Sequence, residues 1–138
     1  MSHQQDFEKF LETREKAAQS YTTGHPEGVV SLATKESPAT FYGPGGGAVV
    51  GAHEVAARYE KDAHAFKPGG ETHFEVLQSA AGDSLGFWAG FQHAKVRVGD
   101  NPDLITMKLR VTEVFRREPH GWKLVHRHAD PMGDPQPT

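Results

Sequence analysis

The hydrophobic pattern of this chain changes period near residue 70, from helical to strictly alternating, and does not change back. Four alternating segments follow, at about 71–81, 84–98, 103–118 and 121–130. Their separators are Gly82-Asp83, Gly99-Asp100-Asn101-Pro102 and Pro119-His120-Gly121, all with the chemistry of tight turns. Connections this short leave no room for a crossover helix, so the four segments must form an antiparallel meander. Two of the strands are long for a small domain and have to bend around something.

The first half supplies the filling. From Asp6 to Tyr21, residues Phe7, Phe10, Leu11, Ala17, Ala18 and Tyr21 make one helical stripe with Arg14 at its centre. A charge there needs a partner or must bury only its stem. A second short helix follows Gly24, with Pro26 near its first turn and Val29, Val30 and Leu32 inward, and ends before Pro38. Ala39 to Tyr42 reads as a short strand and Gly43 to Gly47 as a loop without phosphate-loop or dinucleotide-fingerprint spacing. Gly51 to Phe66 forms the third helix, with Val55, Tyr59 and Phe66 on its buried side, Asp62 at that side's edge, and Pro68-Gly69-Gly70 as its stop. The expected fold is α+β: a strongly curved antiparallel sheet wrapped as a cone-shaped barrel around three N-terminal helices, open at one end over a cavity.

With 138 residues the chain suits one domain, placed at residues 1–131, with 132–138 as a frayed tail. No cysteine is present, which removes disulfides, thiolate metal sites and thiol catalysis. A net charge of −3 and a pI near 6.3 argue against nucleic acid. The N-terminal residues and the short apolar runs give neither a leader nor a membrane span, so a soluble cytoplasmic protein without a cofactor is expected.

Two constellations stand out. In the strand from Leu104 to Arg117, Glu113 shares a face with Ile105, Met107, Leu109, Val111 and Phe115. A carboxylate on that face is a pocket residue, half of a structural pair such as Glu113 with Arg14, or the sign of a register break. In the last strand, alternation puts Trp122, Leu124, His126, His128 and Asp130 together. The His-x-His spacing suits a metal only if further ligands arrive, and His93 or Asp130 are the candidates; with ten residues left after His128, no metal is expected, and a histidine hydrogen-bonded in a core or dimer face is preferred, ahead of a role in a polar pocket. Phe87, Trp88 and Phe91 occupy both faces of the strand 84–98, which calls for a second cover, and a second subunit would supply it. Between residues 95 and 128, eight Lys or Arg stand against four Asp or Glu, a bias toward an anionic ligand or a solvated basic face.

The order of three helices, Gly-Asp-Ser before an aromatic strand, Arg-Val-Thr-Glu-Val-Phe-Arg-Arg-Glu at 110–118 and Gly-Trp-Lys-Leu-Val-His-Arg-His-Ala-Asp at 121–130 resembles the nuclear transport factor 2-like superfamily. Within it the chain is similar to the SnoaL-like and ketosteroid-isomerase-like proteins and to the association domain of calcium/calmodulin-dependent kinase. The resemblance implies a conical α+β fold, a homodimer formed through the outer sheet face, and a deep pocket between sheet and helices. Where the isomerase carries its aspartate base this chain has Gly43 before Pro44, and where the kinase association domain carries a pocket arginine it has Glu113.

Two functional readings follow. In one, the chain is an isomerase, dehydratase or cyclase acting on an apolar small molecule, with Glu113 accepting a proton and His128 or Tyr59 donating one. In the other, it is a non-catalytic ligand-binding or dimerisation module. Arg14, Tyr42, Tyr59, Trp88, His126 and Asp130 are the expected ligand contacts, and the ligand is apolar or weakly anionic.

Overall fold

The computed structural model describes residues 2–133. Helix α1 spans His3–Tyr21, opened by a capping box in which Ser2 Oγ accepts from the Gln5 amide and the Gln5 side chain accepts from the Ser2 amide. Then come α2 (Glu27–Leu32), β1 (Thr40–Tyr42), β2 (Ala48–Val50), α3 (Ala52–Ala63), β3 (Phe66–Ala81), β4 (Leu85–Val98), β5 (Ile105–Glu118) and β6 (Gly121–Pro131). The strands form one mixed sheet in the order β2-β1-β6-β5-β4-β3, in which β1 runs parallel to β6 and every other neighbouring pair is antiparallel.

The expected meander is present, and the sheet curves as a cone around the helices but does not close, because β2 and β3 remain as edges. Helix α1 occupies the place of a further strand along β3. Glu15 Oε2 accepts from the Phe74 amide at 2.7 Å, and Gln4 Oε1 accepts from the Ala81 amide at 3.0 Å. Such contacts satisfy edge donors that would otherwise pair with another chain.

Three local features differ from the sequence reading. The third helix stops at Ala63, and Phe66 opens β3 instead of closing the helix. Pro68-Gly69-Gly70 lies inside β3, which an edge strand tolerates, at a register shift between Lys67 and Glu71. A Cβ on Gly70 would sit 2.5 Å from the Thr22 carbonyl oxygen, so glycine lets this strand pass the end of α1. Strand β2, three residues long, has no counterpart among the expected elements. At the tail, the Met132 amide still donates to the Lys108 carbonyl at 2.8 Å, and the rest of the expected frayed segment, residues 134–138, lies outside the described residues.

The narrow end of the cone is filled by aromatic packing. Phe7 meets Phe115 and Trp122 edge-on, with ring centroids 5.5 and 5.1 Å apart. Toward the wide end the side chains do not meet in the middle.

Candidate functional site

At the wide end, α1, α3 and strands β4 to β6 enclose a cavity of about 420 Å³. Its wall is mostly apolar, including Ala18, Val29, Phe41, Val96, Met107 and Leu109, and one group of polar side chains interrupts it: Arg14, Tyr59, Gln92 and Arg127. Lys61 and Asp62 also border the cavity, with Asp62 held by the Arg58 guanidinium at 3.0 Å.

The polar group is built on Glu113. The stripe of α1 and the alternation of β5 point Arg14 and Glu113 at each other, and the two meet as a fork. Arg14 Nε donates to Glu113 Oε1 at 3.0 Å, and Arg14 Nη2 donates to Oε2 at 2.8 Å. Trp88 Nε1 donates to Oε1 at 2.9 Å, and Arg127 Nη1 donates to Oε2 at 2.7 Å. All four acceptor positions of the carboxylate are filled. Arg127 is itself steadied by Gln92, whose Oε1 accepts from Nη2 at 2.6 Å, while Gln92 Nε2 donates to Thr72 Oγ1 at 3.1 Å.

Glu113 is fully buried, and burial alone would raise its pKa, but the charges of Arg14 and Arg127 and the bonds they donate outweigh it and hold the carboxyl down to about 2. The group is therefore an anion with no free lone pair, which suits it to positioning two guanidiniums and not to accepting a proton. Two cations stand against this one anion. The nearby Tyr59 hydroxyl is pushed up in pKa by burial, and it feels the charges of Arg127, Glu113 and Arg14. It is thus a neutral O–H at any ordinary pH.

The histidines lie elsewhere. Val114 pairs with His126 and Phe115 with Leu124, so Val125 is an extra residue on β6. Trp122 and Leu124 face the core before this bulge; after it Arg127 and Ala129 do, and the alternation is out of phase. The expectation that His126, His128 and Asp130 share the face of Trp122 and Leu124 is corrected accordingly: they stand on the outer face of the sheet, away from the cavity. There the Tyr42 ring packs edge-on against His126 and His128, at 4.9 and 5.5 Å between centroids. His126 Nδ1 shares a 2.7 Å hydrogen bond with Thr40 Oγ1, and Arg110 Nε donates to Asp130 Oδ1 at 2.7 Å. Burial, and then the neighbouring His128, depress the His126 pKa. Among the described residues no cluster of three or more His, Asp or Glu is placed to hold a metal ion.

Of the residues singled out in the sequence, Arg14 and Tyr59 wall the cavity. Glu113 is bonded to Arg14 and Trp88 to Glu113 without either lining it, and Tyr42, His126, His128 and Asp130 form a separate outer group. The sequence reading missed Arg127 and Gln92. The adjacent apolar pair Leu124-Val125 is the available sign that the alternation slips there.

A profile of the SnoaL-like domain matches residues 11–132. The chain belongs to the SnoaL-like family. No curated protein matches the sequence. Among solved structures, this SnoaL-like domain is similar to a candidate dehydratase of the NTF2-like family from Streptomyces avermitilis. That likeness has 19% identity and a TM-score of 0.75, covering 94% of this chain and 96% of the other. A candidate calcium/calmodulin-dependent protein kinase type II association domain from Thiobacillus denitrificans has 18% identity and a TM-score of 0.64, over 86% and 88% of the two chains. A candidate ketosteroid isomerase from Parabacteroides distasonis has 15% identity and a TM-score of 0.64, over 89% and 85%. At these identities the likeness establishes the shared fold. No helix among the described residues is long and apolar enough to cross a membrane.

Proposed function

We propose that this SnoaL-like domain binds a small, predominantly apolar molecule in the cavity between α1, α3 and the sheet. The observation that carries the reading is the cavity itself, about 420 Å³ and walled chiefly by aliphatic and aromatic side chains around one polar group, the usual make-up of a small-molecule site. An uncharged fluorescent amine such as N-phenyl-1-naphthylamine tests it. Saturable binding of one dye per chain is expected, with loss of binding in Ala94→Trp, a substitution that fills the cavity from β4. Equal dye binding by parent and Ala94→Trp would refute the assignment.

A second reading, acid–base catalysis of the isomerase, dehydratase or cyclase kind, draws support from the fold neighbours described as a candidate dehydratase and a candidate isomerase. It needs a proton acceptor other than Glu113, and Asp62 is the one carboxylate among the described residues of the cavity wall. Turnover lost in Asp62→Asn with dye binding retained would favour it.

The outer sheet face also fits the expected homodimer. Leu77, Phe87, Ala89 and Phe91 lie there uncovered by any helix, among charges of both signs such as Glu75, Lys108, Arg110 and Asp130. A patch with interspersed opposite charges can pair with a second copy of itself about a two-fold axis.

A further inference from the structure

The charge around Glu113 does not balance. Arg14 and Arg127 both donate to this single carboxylate, and their side chains are only 3% and 12% exposed. Asp62 at the cavity border is already paired with Arg58, and Lys61 is exposed to solvent, so the group around Glu113 keeps one uncompensated positive charge. Two polar atoms in the same group are also unsatisfied. Arg14 spends Nε and Nη2 on Glu113, and its Nη1 is buried without a hydrogen-bond partner; the Tyr59 hydroxyl is likewise buried and unpartnered. Both residues line the cavity and both are 3% exposed. Orphaned buried donors are uncommon and costly in folded proteins, so an acceptor that reached both of these from the cavity would relieve that cost.

We infer that the cavity takes an apolar monocarboxylate, with the carboxylate seated at Arg14, Arg127 and Tyr59 and the apolar body running along Val96, Met107 and Leu109. The inference rests on the pocket reading above and specifies its ligand. One excess positive charge matches one carboxylate; a phosphate dianion would reverse the imbalance and leave a buried negative charge. Both orphaned atoms are donors, Arg14 Nη1 as part of a guanidinium and Tyr59 as a phenol that stays protonated, so an acceptor-only headgroup satisfies both. Glu113 acts in this arrangement as a positioning residue. Its fork fixes the plane of the Arg14 guanidinium, and the Gln92 carbonyl oxygen fixes the far edge of Arg127, so neither cation has to be ordered when the ligand arrives.

The test compares 4-phenylbutyrate with 4-phenylbutanol, equal in apolar body and different in headgroup, by isothermal titration calorimetry at pH 7.5. The acid is expected to bind at least about tenfold more tightly than the alcohol, the scale of one or two charge-assisted hydrogen bonds. Tyr59→Phe removes an unpartnered hydroxyl and should fold normally; it is expected to weaken the acid by roughly three- to tenfold and to leave the alcohol unchanged. Arg127→Gln removes the excess charge and is expected to lower the acid-to-alcohol ratio by more than Tyr59→Phe does. If the alcohol binds the parent as tightly as the acid, or if the acid fails to displace a bound neutral dye, the carboxylate assignment is overturned while the pocket reading stands. If the dye does not bind either, the pocket reading falls and takes this inference with it.

Discussion

Replacing Glu113 by Gln preserves the shape of the side chain and removes its charge, so it isolates what that charge does. In the parent the carboxylate accepts four hydrogen bonds, three of them from guanidinium N–H groups. In Glu113→Gln two buried cations face each other with no counter-ion, and the amide NH2 points at donors whichever way it turns. Breaking a buried pair from one side costs about 3–5 kcal/mol. A chain of this length has a total stability of about 7–20 kcal/mol, so the variant still folds but loses a large share. The melting temperature should fall by roughly 10–20 °C. Urea titration followed by tryptophan fluorescence is the assay, since Trp88 is bonded directly to the altered group. Because the site carries an excess of positive charge, the costs of removing its anion and one of its cations also have a fixed order. Arg127→Met leaves a neutral, bidentate Arg14–Glu113 pair and should cost less than Glu113→Gln. A Glu113→Gln loss under about 1 kcal/mol, or an Arg127→Met loss exceeding it, would show that the carboxylate does not hold this site together.

Acid should act on the same group. The folded pKa of Glu113, about 2, lies below the ordinary value of 4.5, so the unfolded chain takes up the proton first. The stability it contributes is complete above about pH 4.5 and is lost as pH falls toward 2; urea midpoints should drop over that window in the parent and be flatter in Glu113→Gln, with equal slopes refuting the assignment. Gly90 faces inward on β4, and a Cβ there would collide with the Glu75 carbonyl oxygen beside the register shift between Val76 and Gln78. Gly90→Ala should therefore lower the urea midpoint by an amount worth about 1–3 kcal/mol, and an unchanged midpoint would mean β3 moves aside freely. For the outer face, sedimentation at tens of micromolar should give twice the 15.1 kDa chain mass, and Phe91→Glu should give the monomer; a monomeric parent would rule the dimer out.

The Arg14–Glu113 contact is legible in the amino-acid sequence because two independent periods converge on it. A helix wheel centres Arg14 in an apolar stripe, and a strand of alternating residues places Glu113 between Val111 and Phe115. Each is anomalous alone, and each supplies what the other lacks. Arg127 is not legible in the same way, because strict alternation assigns it to the face opposite Trp122, and only the extra residue at Val125 brings it inward. A bulge is a two-strand property: it exists in the pairing of β6 with β5, and one strand's residues carry little trace of it. The same slip carries His126, His128 and Asp130 outward and Ala129 inward, so one extra residue changes the face of every side chain from His126 to Asp130. At β3, the Pro68-Gly69-Gly70 run resembles a helix stop because its local chemistry is that of a break. What makes it strand is its place at the sheet edge beside the end of α1, which is tertiary information.

The fork between Arg14 and Glu113 joins residues 99 positions apart, and that separation bears on how the chain is made. At ordinary translation rates of about 5–20 residues per second, Arg14 is synthesised on the order of 5–20 s before its partner. Throughout that interval α1 carries a guanidinium in the middle of its apolar stripe with nothing to neutralise it. Burying that stripe before Glu113 is in place would leave an unpaired charge in the core, which is costly. The apolar stripe of α1 is therefore buried without an unpaired cation only once β5 has brought Glu113 to it, and Arg127 joins the same carboxylate from β6.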